Sequence, residues 1–503
     1  MSAPEVSAVA AGDAAEITYD PEKTGFFRFR MVAGKYLITN DLGRHRLLDS
    51  DEFRAFAAGK VPADSPLHAR LCEDGFVRDR MDFDVLAGLW AKRHRFLWQG
   101  PTLHVVVVTL RCNHRCLYCH ASSVPMTDAS TDMSEETARK VVDRIFAGPS
   151  PAITIEFQGG EPLANWPVVR FVVEYAHELN KKAGKSLWLN LVTNLSLLDE
   201  EKRDWLLKRG VNFCTSIDGP AALHDRNRPY SGGASHAIAT RWFKDISERT
   251  KRKTFRIDAL LTVTRHSLSQ PREIVDSYAE MGARGVFLRP LNPYGMAVAT
   301  WKTVGYEPEE FLEFYRAALD RVLELNRERT LRRPFFEQTA RLYLAKIMTD
   351  QDPNYLDLRS PCGAGIGQMA YNWDGAIYTC DEGRMLARMG DDTFRLGAVD
   401  EGSYAETAAH PTVRAMAVAS CLDNQIDCSN CAYKPYCGIC PVQCYKEQGD
   451  IMGRMPTNSR CKISKGILDF LFERLQDERN ARIFRAWLKN KKGAGGDALY
   501  QRS

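Results

Sequence analysis

The chain has 503 residues, 26% of them charged, and a net charge of only +4, which gives no electrostatic reason to expect nucleic acid or a membrane surface as a partner. It is too long for a single hydrophobic core, so two or three domains are expected. The sequence has no secretion signal and no run of about 18 apolar residues, so it predicts neither export nor a membrane span.

Fourteen cysteines are many for an intracellular enzyme. Their clustering at short spacings favours metal binding over the disulfide framework of a small secreted domain. We therefore expect a reducing compartment, the cytoplasm. Short basic runs at 251–253 and 489–492 are interpreted as solvated surface.

Residues 1–98 are predicted to form a small N-terminal α+β module. Short strand-like runs are separated by turn residues at 40–43, and helical patterns follow. The predicted strands are 26–30 and 35–39, and the predicted helices are 51–58, 66–74 and 82–94.

From residue 99 to 300 the pattern changes to an alternation of apolar β-branched runs and amphipathic helices. Such alternation is typical of parallel βαβ units. Six units are fewer than the eight of a closed barrel, so we predict an α/β fold built on an open, partial (β/α)6 barrel of the TIM type. The predicted strands are 104–109, 152–157, 187–193, 212–217, 255–263 and 285–289, and the predicted helices are 134–147, 167–181, 199–209, 237–248 and 271–281.

Three segments follow the barrel. Residues 301–359 are predicted to be a helical linker. Residues 360–465 hold nine of the fourteen cysteines and show little apolar periodicity, so metal ligands are expected to stabilise them in place of a large core. Residues 466–503 are predicted to contain the end of an amphipathic helix, which spans 465–488, and a tail.

Cys112, Cys116 and Cys119 lie in the string TLRCNHRCLYCH, directly after the first predicted barrel strand. A cubic iron–sulfur cluster normally takes four cysteines, one for each iron. A set of three therefore leaves one iron open to a substrate or cofactor. A zinc site is the alternative, with His114 or His120 as the fourth ligand.

The C-x3-C-x2-C spacing after the first strand of a β/α repeat resembles that of the radical S-adenosylmethionine (SAM) enzymes, and the resemblance covers residues 104–290. It implies a [4Fe–4S] cluster on the three cysteines, with SAM bound at the open iron. It also implies that reduction cleaves SAM to a 5′-deoxyadenosyl radical, which removes a hydrogen from the substrate.

Other strand ends carry motifs similar to those of the same family. The string FQGGEP at 157–162 resembles its GGEP motif, which implies that Gly159, Gly160 and Glu161 hold the SAM amino group. By resemblance or by position at a strand end, the remaining candidate cofactor-binding residues are Tyr118, Asn194, Ser216, Asp218 and Arg289. For Asn194 and Asp218, helix N-capping is the alternative.

The cysteines of 360–465 are similar in order to those of the SPASM extension found in radical SAM enzymes, which implies two auxiliary [4Fe–4S] clusters. The order is Cys362-x17-Cys380, then Cys428-x2-Cys431-x5-Cys437-x2-Cys440, then Cys444 and Cys461. Mapped by motif, the first auxiliary cluster falls on Cys362, Cys380 and Cys440. The second falls on Cys428, Cys431, Cys437 and Cys461.

The chain departs from the SPASM pattern at one spacing, because two residues separate Cys437 from Cys440 where the family commonly has three. Cys440 is preferred as a ligand because a proline follows it, as in the family. The first auxiliary cluster is left one ligand short, and Cys444, Cys421, a remote residue or bound substrate can complete it. Zinc ribbons are the alternative for 428–440.

Asp381 directly follows Cys380. In the sulfatase-maturing branch of the family, an Asp in the matching place takes the substrate's proton, which makes Asp381 the candidate catalytic base. A carboxylate beside an anionic cluster is expected to have a raised pKa. Capping of the local turn is the alternative.

A SPASM domain implies a peptide or protein substrate. Residues 26–78 are similar to the small modules that bind the leader of a ribosomally made precursor as an added strand; a structural cap over the barrel is the alternative. The whole pattern is most similar to the maturases of His-Xaa-Ser peptide systems. This similarity implies a small repetitive substrate and a second radical SAM protein as a partner, with an external flavodoxin or ferredoxin as electron donor.

The sequence therefore predicts a radical SAM peptide maturase. Hydrogen abstraction would be followed by crosslinking or oxidation, and an auxiliary cluster would receive the spare electron. Conversion of a Ser or Cys of a sulfatase to formylglycine is one alternative. A zinc-dependent binding module and a metabolite-modifying enzyme are two others.

Overall fold

The computed structural model of the chain describes residues 17–250, 256–328, 331, 333–350, 352–353 and 355–489. The chain divides into two compact units. The first runs to Lys92 and includes Asn430–Pro435, and the second comprises Arg93–Ser429 and the residues from Tyr436 onward. The basic run 251–253, most of the run 489–492 and the C-terminal tail lie outside the described residues.

The first unit is a three-stranded antiparallel sheet packed against short helices. Its elements are β1 (Arg28–Val32), β2 (Lys35–Thr39), β3 (His45–Leu48), α1 (Ser50–Ala57), α2 (Pro66–Glu73) and α3 (Phe83–Arg93). The strand order is β1–β2–β3, so β1 is an edge strand. β2 lies where the sequence predicts it, β1 lies two residues later, and β3 was not predicted because its residues show no strong alternation.

The second unit opens with the predicted β/α alternation. Its strands are β4 (Leu103–Thr109), β5 (Ala152–Gly159), β6 (Ser186–Val192), β7 (Val211–Ser216), β8 (Ile257–Thr262), β9 (Gly285–Val286) and β10 (Leu288–Arg289). The helices between them are α4 (Glu135–Phe146), α5 (Trp166–Ala183), α6 (Glu200–Lys208), α7 (Ala221–Asn227), α8 (Ser235–Thr250) and α9 (Pro271–Glu280).

The remaining elements of the second unit follow the barrel. The helices are α10 (Met296–Ala299), α11 (Trp301–Val304), α12 (Pro308–Glu328), α13 (Gln338–Met348), α14 (Asp381–Ala387), α15 (Tyr404–Ala408), α16 (Pro411–Ser420), α17 (Ile426–Ser429), α18 (Pro441–Gln448), α19 (Ser459–Leu475) and α20 (Glu478–Leu488). The strands are β11 (Phe336–Glu337), β12 (Gln368–Tyr371), β13 (Ala376–Tyr378) and β14 (Arg395–Ala398).

One long sheet organises the second unit, in the order β10–β8–β7–β6–β5–β4–β12–β13–β14. The barrel strands pair in parallel, and β12 pairs in parallel with β4. β13 and β14 continue the sheet in antiparallel fashion. The predicted α/β fold with a partial barrel of six units is confirmed, and the sheet of that barrel continues into the cysteine-rich segment.

Two predicted elements are each divided in the structure. The sixth strand, predicted as 285–289, is split because β9 pairs with β11 whereas β10 pairs with β8 in the main sheet. The terminal helix, predicted as 465–488, is the pair α19 and α20, with Asp477 as the N-cap of the second helix. In the part of the chain that the structure describes, no helix combines the length and apolarity needed to cross a bilayer.

Candidate active site

The three cysteines of the predicted cluster site lie in the loop that follows β4, which we call the three-cysteine loop. Backbone hydrogen bonds fix it near both ends. The Cys112 N–H donates to the Val124 carbonyl (3.0 Å), and the Met296 N–H donates to the Cys119 carbonyl (2.8 Å). Neighbouring segments of the barrel therefore determine the path of this loop.

The thiols of this loop are close enough to affect one another's ionisation. Burial, together with the nearby Glu161, Cys116 and Cys119, raises the pKa of the Cys112 thiol to about 12. Among the described residues, no three His, Cys, Asp or Glu side chains converge on a point for a single metal ion. A cubic cluster requires no such convergence, because each thiolate binds a different iron. The donor set therefore fits a cluster held by three thiolates.

Two glycines let the end of β5 lie directly against the three-cysteine loop. Gly159 has a φ of +118°, and a Cβ atom on Gly160 would lie 2.3 Å from the Arg111 carbonyl oxygen. The Gly160 N–H donates to the Thr109 carbonyl (3.0 Å), and the Glu161 N–H donates to that of Arg111 (2.7 Å). Only a residue without a side chain fits at this contact.

Glu161 is fully buried, and its carboxylate joins the ends of β5 and β6. Oε1 accepts hydrogen bonds from the Thr193 hydroxyl (2.7 Å) and the Leu163 N–H (3.1 Å), and Oε2 accepts one from the Asn194 N–H (2.7 Å). Burial raises the pKa of Glu161, and these three hydrogen bonds oppose the increase. The carboxylate thus shapes the loop after β6 as well as its own loop.

Asn194 faces the three-cysteine loop. Its Nδ2 donates to Asn113 Oδ1 (3.0 Å) and lies 3.8 Å from the Cys112 sulfur. Its Oδ1 accepts a hydrogen bond from the Ser196 N–H (2.9 Å), and the N-cap of α6 is Asp199. Asn194 therefore does not cap the helix, which was the alternative role considered from the sequence.

Tyr118 and Asp218 are hydrogen-bonded to each other beside the three-cysteine loop. The Tyr118 hydroxyl donates to Asp218 Oδ1 (2.9 Å), and Arg228 Nη1 donates to the Tyr118 oxygen (2.8 Å). Burial raises the pKa of Asp218 to about 6, although the Arg228 guanidinium opposes the shift. Pro220, not Asp218, is the N-cap of α7. Sequence reasoning missed Arg228, because nothing in the sequence distinguishes it from the exposed Arg226.

Ser216 and Arg289 lie at the ends of β7 and β10, where they line a cavity of about 190 Å³. Asp381, Glu156 and His120 line the same cavity. Burial, together with the nearby Arg289, lowers the pKa of His120 to about 4. The cavity thus brings two predicted cofactor contacts together with the candidate base.

Asp381 is the first residue of α14 and accepts a hydrogen bond from Arg384 Nε (2.8 Å). The N-cap of this helix is Cys380, whose sulfur accepts a hydrogen bond from the Gly383 N–H (3.4 Å). Local capping is therefore done by the cysteine, and the Asp381 carboxyl group is oriented by an arginine.

The cysteines of the C-terminal segment form two groups in the structure. One group of buried side chains that pack together contains Cys362, Cys380 and Cys440, as the motif mapping predicts for the first auxiliary site. A second such group of buried side chains contains Cys428 and Cys444, and the half-buried Cys437 and Cys461 pack against it. Cys444 thus lies with the second group. Cys431 lies in the segment Asn430–Pro435, which belongs to the first unit, and Cys421 is half-buried. All fourteen cysteines are within the described ranges, and none of them forms a disulfide.

Buried arginines accompany the first of these groups. Burial lowers the pKa of Arg359 to about 10, while the Cys362 thiolate opposes the shift. Within the described residues, Arg359 Nε and Nη2 and both terminal nitrogens of Arg384 have no hydrogen-bond partner. Buried cations need compensating negative charge, which an anionic iron–sulfur cluster on these thiolates would supply. The residues present therefore fit a cluster at Cys362, Cys380 and Cys440.

Comparison with known proteins shows what this chain is similar to. A family model described as the Radical SAM superfamily matches residues 106–286. The chain is 23% identical over 385 residues to a cysteine-type anaerobic sulfatase-maturating enzyme of Clostridium perfringens, an alignment that covers 73% of this chain and 95% of that enzyme.

Solved structures share the fold. Native anSMEcpe with bound AdoMet superposes with a TM-score of 0.60 and 19% identity, covering 75% of this chain and 99% of that one. SuiB of Streptococcus suis, solved with its precursor peptide SuiA, superposes with a TM-score of 0.52 and 14% identity, covering 87% of this chain and 98% of that one.

The contact between β5 and the three-cysteine loop predicts a strong effect of Gly160→Ala. The added Cβ must displace the backbone around Arg111, and a shift of about 1 Å near reacting groups can cost about 100-fold in rate. We expect SAM cleavage by the reconstituted enzyme to fall by about that factor. Gly88→Ala, on α3 with open space around it, serves as the control. Wild-type cleavage by the Gly160 variant would contradict the site as described.

Proposed function

We propose that this chain, a radical SAM enzyme of the maturase type with a SPASM-like domain, modifies a ribosomally made peptide. The observation that carries the proposal is the convergence of three strand ends, those of β5, β6 and β7, on the three-cysteine loop. Glu161, Asn194 and Asp218 each reach this loop directly or through one neighbour. This is the edge of a β/α sheet at which ligands bind.

The residues at this edge have distinct roles in the proposed reaction. The thiolates of Cys112, Cys116 and Cys119 would hold a [4Fe–4S] cluster, and the Gly159–Glu161 turn would orient SAM beside it. When bound, the cluster and SAM supply a radical that removes a hydrogen atom from carbon. Ser216 and Arg289 line the cavity in which the substrate would be placed and from which water would be excluded.

The auxiliary sites would take up the electron that the reaction releases from the substrate. After hydrogen abstraction, formation of a crosslink or an oxidation leaves one electron to be removed. Cys380 of the first group directly precedes Asp381, which lines the same cavity as Arg289. The thiolates of Cys362, Cys380 and Cys440 would hold a cluster able to accept that electron, and an external flavodoxin or ferredoxin would be the electron donor for each turnover.

The first unit supports a peptide substrate. β1 is an edge strand, and it carries the exposed apolar side chains of Phe29 and Met31. An edge strand can pair with an extended peptide through main-chain hydrogen bonds, while pockets for alternate side chains give specificity. The similarity of fold to SuiB, which was solved with its precursor peptide, supports the same substrate class. In the His-Xaa-Ser form of this proposal, the substrate is a small repetitive peptide and a second radical SAM protein is a partner.

Substitution of a cluster ligand tests the core of the proposal. The Cys112→Ala variant should lose roughly four irons per chain and all SAM cleavage, because one iron of the cluster loses its ligand. Iron content and 5′-deoxyadenosine formation after anaerobic reconstitution are the measurements. Cys72→Ala, half-buried in the first unit and outside both cysteine groups, is the matched control. Unchanged SAM cleavage by Cys112→Ala would refute the proposed function.

A charge on the edge strand tests peptide recognition. Met31→Glu should weaken binding of a short precursor peptide encoded beside the gene by about tenfold, since a carboxylate would have to be buried against the added strand. SAM cleavage without peptide should not change. Phe83→Glu, at an exposed apolar position on α3 of the same unit, is the control. Equal peptide affinity for both variants and the wild type would instead favour a structural role for the first unit.

A second candidate function is formylglycine formation, favoured by the similarity to the Clostridium perfringens enzyme and by the position of Asp381 in the cavity. Oxidation of a serine to formylglycine removes one hydrogen atom, one proton and one electron from the side chain. Asp381 would take the proton, and the neighbouring auxiliary cluster would take the electron.

This candidate makes its own prediction. With a sulfatase-derived peptide that carries the target serine, the wild-type enzyme would yield a product lighter by two hydrogens that reacts with a hydrazide. Asp381→Asn would abolish that product while SAM cleavage continues, and the exposed Asp400→Asn would behave as wild type. A covalent crosslink in the product, detected by tandem mass spectrometry, excludes the formylglycine assignment.

A further inference from the structure

A chain of buried hydrogen bonds connects the loop after β7 with the three-cysteine loop. Its members, in order, are Asp218, His224, Ser235, His114 and Asn113. The Ser235 hydroxyl is at the centre, 2.9 Å from His224 Nε2 and 2.8 Å from His114 Nε2. The three central side chains are at most 3% exposed. Ser235 is the first residue of α8 and belongs to none of the motifs read from the sequence.

The donor and acceptor at each of these hydrogen bonds follow from the bond made by Asp218. A backbone N–H can only donate, so the Asp218 N–H donates to His224 Nδ1 (3.2 Å). In the neutral imidazole, the proton is then on Nε2, which donates to the Ser235 oxygen. The hydroxyl proton of Ser235 is left to donate to His114 Nε2.

The hydrogen bonds of Asn113, at the other end of the series, give the same assignment of donors and acceptors. Asn194 Nδ2 donates to Asn113 Oδ1, which identifies this oxygen as an acceptor. His114 Nδ1 lies 3.2 Å from the same oxygen, so this nitrogen carries the proton and donates. His114 Nε2 is then an acceptor, as the first end requires. At the centre, the group must accept from one imidazole and donate to the other, which a hydroxyl does and a methyl group does not.

We propose that Ser235 is a positioning residue for the SAM-binding cluster; this inference rests on the proposed assignment of that cluster to the three-cysteine loop. The two residues that donate toward the Cys112 sulfur adjoin this series of hydrogen bonds. The backbone N–H of His114 lies 3.4 Å from that sulfur, and Asn194 Nδ2, which also donates to Asn113 Oδ1, lies 3.8 Å from it. Hydrogen bonds to a ligating sulfur set the charge it can carry, and with it the reduction potential of the cluster.

The stacking of His114 against Tyr230 does not set the tautomer of the imidazole. The ring centroids are 4.6 Å apart and the rings are nearly parallel, so Tyr230 fixes the plane of the imidazole. It does not determine which nitrogen carries the proton. The hydroxyl of Ser235 donates to His114 Nε2, so it and the Asn113 oxygen both require His114 to donate at Nδ1.

The experiment compares three full-length variants after anaerobic reconstitution: Ser235→Ala, Ser235→Thr and Ser247→Ala. Ser247 is also buried on α8, and its hydroxyl has no hydrogen-bond partner among the described residues, so it controls for loss of a buried serine from the same helix. The readouts are iron content, affinity for SAM, the midpoint potential of the SAM-binding cluster and its electron paramagnetic resonance spectrum with and without SAM.

We expect Ser235→Ala to weaken SAM affinity by about tenfold, to move the midpoint potential to a more negative value and to change the spectrum of the SAM-bound cluster. Ser235→Thr, which keeps the hydroxyl, and Ser247→Ala should match the wild type within about twofold in affinity, well below the tenfold loss that a missing supporting hydrogen bond typically causes.

Wild-type affinity, potential and spectrum for Ser235→Ala would overturn the inference and would leave the proposed function standing, provided that Cys112→Ala has lost its cluster. Retention of that cluster in Cys112→Ala would overturn the proposed function itself. If Ser235→Ala does not fold, Ser235→Thr and Ser235→Val replace it, since they differ only in a hydroxyl against a methyl group. Identical potentials and spectra for these two would equally overturn the inference.

Discussion

The buried carboxylate of Glu161 is the interaction on which the functional edge of the sheet depends. Its two oxygens accept hydrogen bonds from the loops after β5 and β6, and its own N–H donates to Arg111 in the segment that leads to Cys112. Burial of a carboxylate away from water costs free energy unless hydrogen-bond donors such as these surround it. The donors themselves need an acceptor once they are buried. One residue therefore holds three strand ends together, two of them through its side chain and the third through its backbone N–H.

The barrel and the three-cysteine loop could be predicted because their signals are local in sequence. Strands buried on both faces appear as continuous apolar runs, such as Val105–Val108, and the three cysteines lie within eight residues. The partners of Asn194 and Asp218 could not be predicted in this way. Arg228 reaches Asp218 only through Tyr118, and Ser235 reaches it only through His224. Isolated polar residues of this kind carry no periodic pattern.

The cysteine-rich segment shows both sides of this limit. Motif spacing placed Cys362, Cys380 and Cys440 together, and the structure buries them in one cluster. From spacing, Cys444 is one of the candidates to complete the first auxiliary site. Cys440 is the N-cap of α18 and has an extended backbone, whereas Cys444 lies within the helix and packs in the group that contains Cys428. The spacing of cysteines along the chain contains no information about which distant segments pack around each of them.

The parallel pairing of β12 with β4 has a consequence for the evolution of this architecture. Gln368 to Tyr371 align with Leu103 to Val106, so the cysteine-rich segment is hydrogen-bonded to the strand that leads into the three-cysteine loop. The segment is thus not an appendage that could be lost by truncation, because its removal would uncover a long apolar strand edge, which promotes aggregation. An ancestor without this segment would have needed another cover for β4. Acquisition of the auxiliary sites and closure of the barrel's open edge would then have been a single event.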